Sequence, residues 1–288
     1  MKESEINFAF FGTDNFSISV LEELKMTGLI PNIIISPTDK PKGRGLALNS
    51  PPIKSWAELN NVKVIQSDRL DSDFTNELKK EKWDIFVVAS YGKIIPKIIL
   101  DIPEKGTLNV HPSLLPKYRG PSPIESQILN DEQNVGVSIM LLDEKMDHGP
   151  ILSQTHYDTE HNEQMKTSEL TLELGRRGGA LLAKTIPNWL SGKITPKEQN
   201  HNEATYTKKI AKEDGLIKLD DNPYQNYLKY LAYDIWPKTY FFLEKSGKQT
   251  RIKITDAEFT NGEFRVLSVI PEGGHEMRYE DFLRGYNQ

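Results

Sequence analysis

Asn109-Val110-His111 sets an amide and an imidazole two residues apart. Side chains alternate along an extended strand, so Asn109 and His111 are expected on one face. An amide donor and an imidazole would then flank one point in space. The following run, Ser113-Leu114-Leu115-Pro116-Lys117-Tyr118-Arg119-Gly120, mixes apolar side chains with turn formers, as a ligand-lining loop does. Downstream, Asp143 and Asp147 supply carboxylates within Leu141-Leu142-Asp143-Glu144-Lys145-Met146-Asp147-His148-Gly149. Asp147 is a candidate to orient His111 and favour its charged form. The plainer reading makes both aspartates solvated turn residues. Other chemistries find less support. His148, His156 and His161 lack the H-E-x-x-H spacing of a metal site, and the chain has no cysteine. No G-x-S-x-G marks a serine nucleophile.

These residues need a scaffold. Ile6 to Phe11 is a short apolar run that ends at Gly12-Thr13. Val20, Leu21 and Leu24 then fall at helical spacing up to Gly28. Ile33 to Ile35, Val62 to Ile65, Asp84 to Ala89 and Thr107 to Val110 read as further strands, with a helix around Ile53 to Leu59. Apolar runs without alternation indicate strands covered on both faces. Strands alternating with helices predict an α/β domain: an open, Rossmann-like, mostly parallel sheet. Val135 to Leu142 and Ile151 to Tyr157 are later strands. Leu170 to Leu190 is a helix expected to break or loosen at Gly175 and Gly178-Gly179. Gly12 stands without the later glycines of G-x-G-x-x-G, which argues for a tight turn rather than a dinucleotide site. The carboxyl edge of such a sheet is where ligands bind. The catalytic domain is placed at residues 1–190, a linker at 191–215, and a small β-rich domain at 216–288. That last domain should hold a helix at Tyr224 to Tyr233 and strands at Thr239 to Leu243, Arg251 to Ile254 and Phe264 to Ile270.

The net charge of −5 over 288 residues argues against a broadly basic nucleic-acid coat. One local basic loop remains, Pro37 to Pro52, carrying Lys40, Lys42 and Arg44. It is longer than an ordinary connection, so it is either a solvated surface loop or an arm for a phosphate backbone. The polar start and the lack of an apolar run of about 20 residues predict a soluble, cytoplasmic protein with no membrane contact.

Asn109 to Gly120 resembles the signature of the folate-dependent formyltransferases: an Asn-x-His pair, a Ser-Leu-Leu-Pro loop, and an Asp further on. The likeness extends to Phe11-Gly12-Thr13 and to Ala89-Ser90-Tyr91-Gly92-Lys93-Ile94-Ile95-Pro96, and it spans nearly the whole chain. It implies an enzyme with Asn109, His111 and Asp147 as catalytic residues. It implies 10-formyltetrahydrofolate as formyl donor, held by Tyr91, Gly92, Ile95, Ser113, Leu114, Leu115, Pro116 and Asp143, with no metal. Pro41-Lys42-Gly43-Arg44-Gly45, the Lys-rich linker with Lys208 and Lys209, and a β-rich tail with Ile235-Trp236-Pro237 are similar to the branch that formylates initiator tRNA. Lys40, Lys42, Arg44, Lys208 and Lys209 would contact the tRNA, and the enzyme would act as a monomer in translation initiation. The tail is short after Ala257, which predicts a shortened OB-like barrel, and His148 stands where relatives often carry a small residue. The alternative acceptor is a nucleotide-linked amino sugar using the same donor. A formyl-folate hydrolase would share the site, but no regulatory module precedes Ile6. A non-catalytic RNA-binding protein would leave Asn109, His111 and Asp147 without a purpose.

Overall fold

The computed structural model describes residues 6–42, 47–158, 165–245 and 247–286. Two compact units emerge. The first takes residues 1–121, 134–158 and 171–207, and the second takes 122–133, 159–170 and 208–288. The division between 207 and 208 falls inside the stretch read as a linker, and the second unit also draws on two earlier segments. Among the described residues, no helix is long and apolar enough to cross a membrane.

The elements of the first unit run β1 (Phe8–Gly12), α1 (Asn15–Met26), β2 (Ile33–Ser36), β3 (Lys40–Lys42), β4 (Ala47–Asn49), α2 (Pro52–Leu59) and β5 (Lys63–Gln66). They continue with α3 (Ser72–Leu78), β6 (Ile85–Ala89), α4 (Lys97–Leu100) and β7 (Thr107–His111). After α5 (Pro123–Leu129), which belongs to the second unit, come β8 (Asn134–Leu141), β9 (Ile151–Asp158) and α6 (Thr167–Leu190). Seven strands form one sheet in the order β5-β2-β1-β6-β7-β8-β9. The first five are parallel, and β8 and β9 join antiparallel. Every residue of β1, β6 and β7 is buried, as strands covered on both faces require. Phe11, Ile35, Trp83, Phe86 and Tyr91 share one core cluster on the sheet. Chain order reverses between β1 and β6, so the crevice beyond their carboxyl ends is the expected ligand position. Gly12-Thr13-Asp14 and Ser90-Tyr91-Gly92 follow those two strands. Asp14 caps α1 by accepting from the Phe16 and Ser17 N–H groups, and Ser90 Oγ donates to its other oxygen.

Two expectations change. The basic loop holds a two-stranded ribbon, β3 with β4, despite Pro41. Such a ribbon has no central ladder to interrupt, so a proline is tolerated. The second correction is α6, which is one continuous helix through its glycines. A Cβ at Gly175 would come within 2.6 Å of Ser19, one at Gly179 within 2.7 Å of the Val20 carbonyl, and one at Gly178 within 2.7 Å of Val110. These glycines let α6 lie close against α1 and the sheet. That packing outweighs the roughly 1 kcal/mol of helix propensity each glycine gives up.

The second unit adds α7 (Pro223–Ala232), β10 (Tyr240–Lys245), β11 (Lys248–Thr260), β12 (Glu263–Pro271), β13 (Met277–Arg278) and α8 (Tyr279–Tyr286). Its four strands pair antiparallel in chain order, an open meander among the described residues. Tyr224 and Tyr227 of α7 pack on Phe259 of β11, and Tyr230 faces Phe264 of β12.

Candidate active site

β7 lies between parallel β6 and antiparallel β8, with Asn109 opposite Val88 and Met140, and His111 opposite Ser138. Both side chains are buried, at 9% and 4% exposure. The connection from β8 to β9 turns back over the sheet face on which they stand. Asp147, in the left-handed region at φ 48, brings its Oδ1 to 3.4 Å from Asn109 Nδ2 and 3.6 Å from His111 Nδ1. Aspartate tolerates that backbone better than most residues. Its Oδ2 accepts a 2.7 Å hydrogen bond from the Gly120 N–H. One carboxylate oxygen is therefore anchored, and the other meets the amide and the imidazole at longer range.

Gly120 has φ 116, and a Cβ there would lie 2.7 Å from Thr207 Oγ1 and 2.8 Å from its carbonyl oxygen. Gly120→Ala is expected to cost about 1–3 kcal/mol of stability through backbone strain and clash. It should slow turnover as well, by shifting the N–H that holds Asp147. A denaturant midpoint and kcat measured on the same preparation check both.

His111 Nε2 lies 3.0 Å from the Tyr118 carbonyl. A carbonyl only accepts, so Nε2 carries the proton. The Nδ1 edge then faces Asp147 Oδ1. Sequence reading gives the orienting role to Asp147. In the structure the Tyr118 carbonyl fixes the ring, and Asp147 sits on the edge left open, beside Asn109.

The loop after β7 is tied to the sheet. Ser113 Oγ donates to the Lys117 carbonyl, and Ser138 Oγ donates to the Ser113 carbonyl and accepts from the Leu115 N–H. Leu115 is buried, and a Cβ at Gly136 would meet the Leu114 side chain. Ser113, Leu114 and Leu115 thus spend their side chains or main chain on holding the loop, and Pro116 accepts from the Thr205 N–H. On the neighbouring edge, Tyr91 and Ile95 point into the core cluster. The Tyr91 hydroxyl has no hydrogen-bond partner, and burial pushes its pKa up to about 12, with the Asp68 charge adding to the shift. Gly92, at φ 75, has open space beside its Cα. Asp143 pairs with His148 Nδ1 at 2.7 Å. Lys40, Lys208 and Lys209 are exposed, Lys42 lies on β3, and Arg44 falls outside the described residues.

Sequence reading overlooks Arg119, Gln199, His201 and Tyr206 as site residues. Arg119 is 1% exposed, and its guanidinium meets Gln199, His201 and Tyr206. His148 stacks on His201 with ring centroids 4.0 Å apart. Desolvation there, then His148 and Arg119, holds the His201 pKa below the ordinary imidazole value. No local signal marks these residues, because their partners lie about eighty positions apart along the chain. Among the described residues, no group of three or more His, Asp or Glu side chains is placed to share a metal ion.

Comparison with known proteins gives this geometry a context. The family model described as formyl transferase matches residues 6–176. A methionyl-tRNA formyltransferase of Chloroflexus aggregans is 38% identical over 259 residues, covering 88% of this chain and 82% of that one. A protein of the same name from Caldicellulosiruptor saccharolyticus is 33% identical over 306 residues, covering 98% of this chain and 97% of that one. Among solved structures, the methionyl-tRNA formyltransferase of Clostridium thermocellum superposes with a TM-score of 0.60 at 18% identity, covering 95% and 99% of the two chains. An N-formyltransferase of Helicobacter canadensis, solved with folinic acid and dTDP-3-aminofucose, superposes with a TM-score of 0.63 at 20% identity, covering 89% and 88%. At these identities the solved structures speak for the fold, and the sequence relatives speak for descent: the chain belongs to the formyl transferase family.

Proposed function

We propose that the protein transfers a formyl group from 10-formyltetrahydrofolate to the α-amine of methionine on initiator tRNA, in the cytoplasm, at the start of translation. The observation that carries this reading is the meeting of Asn109, His111 and Asp147 at one carboxylate oxygen on one sheet face. Sequence relatives named methionyl-tRNA formyltransferase, aligned over most of the chain, support the choice of acceptor.

The chain's own groups have distinct tasks. When the amine adds to the formyl carbon, the formyl oxygen gains charge. The N–H of Asn109 Nδ2, and that of His111 Nδ1 when the ring carries its second proton, are the donors placed for it before the reaction. Asp147 Oδ1 is free of strong hydrogen bonds and sits beside them, so it is the acceptor for the proton the amine must lose. The adduct then collapses: the formyl oxygen returns to a carbonyl, the bond from the formyl carbon to N10 breaks, and N10 takes up that proton as tetrahydrofolate leaves. Gly120 keeps the carboxylate from rotating away. The donor would lie at the carboxyl edge of β1, β6 and β7. There Gly92 leaves room beside its main chain, and Tyr91, Ile95 and Leu115 belong to the segments that follow β6 and β7. A pterin ring calls for apolar walls edged with main-chain polar groups.

One donor offered to two acceptors tests the reading: aminoacylated initiator tRNA against nucleotide-linked amino sugars. Formylation of the tRNA alone is expected, and formylation of the sugar alone would overturn it. The basic loop supplies a second check. In the sequence Arg44 is flanked by Gly43 and Gly45, residues that carry no Cβ to hold a ligand off. Arg44→Ala should lower kcat/KM for the tRNA, and the effect should shrink as salt rises because phosphate contacts are screened. Donor binding should be unchanged. Equal kcat/KM for wild type and variant at both low and high salt would remove the loop from tRNA recognition.

A further inference from the structure

The residues after α6 are bound to the catalytic loops by main-chain hydrogen bonds. Lys197 exchanges two with Ile151, each 2.8 Å. The Arg119 N–H donates to the Thr205 carbonyl at 2.9 Å, and the Thr207 N–H donates to the Arg119 carbonyl at 2.7 Å. Between these anchors stands Gln199, 6% exposed, with every polar atom of its side chain engaged. Its Nε2 donates to the carbonyls of Asp147 at 3.0 Å and Gly149 at 2.6 Å. Its Oε1 accepts from Arg119 Nε at 3.1 Å and Nη2 at 2.6 Å. The amide has only one workable orientation, because a guanidinium only donates and a carbonyl only accepts.

Arg119 has uncharged partners in Gln199, Tyr206 and the acceptor nitrogen of His201. Among the described residues no carboxylate pairs with it; burying a guanidinium so is costly, and an apolar side chain would fill the space more cheaply. What the charge provides is direction. It pulls on the Gln199 oxygen and strengthens the two N–H donations on the far side of the amide. The next residue, Gly120, gives its N–H to the Asp147 carboxylate. Asp147 is therefore gripped at its side chain by Gly120 and at its carbonyl by Gln199, and both grips lead back to Arg119.

We propose that Gln199 is a positioning residue for the transfer reaction, with Arg119 acting through it. By holding the carbonyls of Asp147 and Gly149, it sets the left-handed turn that aims the Asp147 carboxylate at His111 and Asn109. The segment that reads as a linker in sequence, beyond the 6–176 span of the family match, thus completes the active site. This inference rests on the role proposed above for Asp147.

Gln199→Glu separates positioning from the burial of Arg119. It keeps an acceptor for the guanidinium and adds a charge to pair with it, which offsets part of the cost of turning a carboxylate oxygen toward two carbonyls, so the thermal midpoint should fall less than in Gln199→Ala. It removes both N–H donations, so kcat should fall on the order of tenfold to a hundredfold, with KM for donor and acceptor within about twofold of wild type. In an Asp147→Asn background the same change should cost nothing further, because there is no carboxylate left to aim. Gln199→Ala provides a second variant: a lower thermal midpoint, the same loss in kcat, and the same silence in Asp147→Asn. Wild-type kcat in Gln199→Glu, or a full additional loss in the Asp147→Asn background, would overturn the proposal. A wild-type protein that formylates no acceptor would instead sink the reading of function, so the two failures are distinguishable.

Discussion

Asn109→Ala is expected to lower turnover about 10²–10³-fold, the cost of losing one fixed oxyanion donor, roughly 3–4 kcal/mol in the transition state. Donor affinity should change little, because the amide's partner develops its charge only as the bond forms. The geometry makes this a clean test. Asn109 Nδ2 meets Asp147 at 3.4 Å, a weak contact, so its removal does not strip the carboxylate of its anchor at Gly120. Single-turnover formylation with saturating donor is the measurement. Near-normal turnover would take Asn109 out of the oxyanion role.

His111 and Asp147 are expected to behave as one unit. His111→Ala or Asp147→Ala alone should lower kcat by about 10²–10⁴-fold, the range for a placed proton-transfer group. Losing both should be scarcely worse than the more damaging single change, since either loss disables the same pair. The 3.6 Å separation is too long for a strong hydrogen bond, which fits two groups that both await a third partner at the reacting centre. A double-mutant cycle with full additivity would break the pairing.

The parallel strands are legible in the sequence because runs such as Phe8 to Phe11 and Ile85 to Ala89 have no polar face to hide. Asn109 and His111 are legible for a related reason: a period of two on a buried strand puts both on one face whatever surrounds them. β11 is harder. It runs from Lys248 to Thr260, whereas the sequence reading stops at Ile254. A register shift between Ile254 and Ala257 breaks the alternation before Ala257 and Phe259 resume it. α3 and α5 have seven residues each, too short for a helical period to show. Arg119 and Gln199 defeat local reading altogether. A lone arginine in a polar loop is ordinarily at the surface, and only the return of the chain eighty positions later buries it. The order of Ser113 to Pro116 is similar. Its composition suggests a loop that meets a ligand, while much of that composition serves to hold the loop to Ser138.

Gly178 faces Val110, the residue between Asn109 and His111, from the opposite side of β7. With no side chain at 178, the helix backbone itself is the wall against which β7 rests. A strand supported in this way has little freedom to bow backward when charge builds on its front face, so the donors keep their aim while the reacting atoms move. The cost is exposure to distant damage. A single methyl group added on the hidden side, far from donor, acceptor or solvent, would press directly on the strand that carries Asn109 and His111. On the roles proposed for Asn109 and His111, the rear of β7 bears on reactivity as much as the face they occupy.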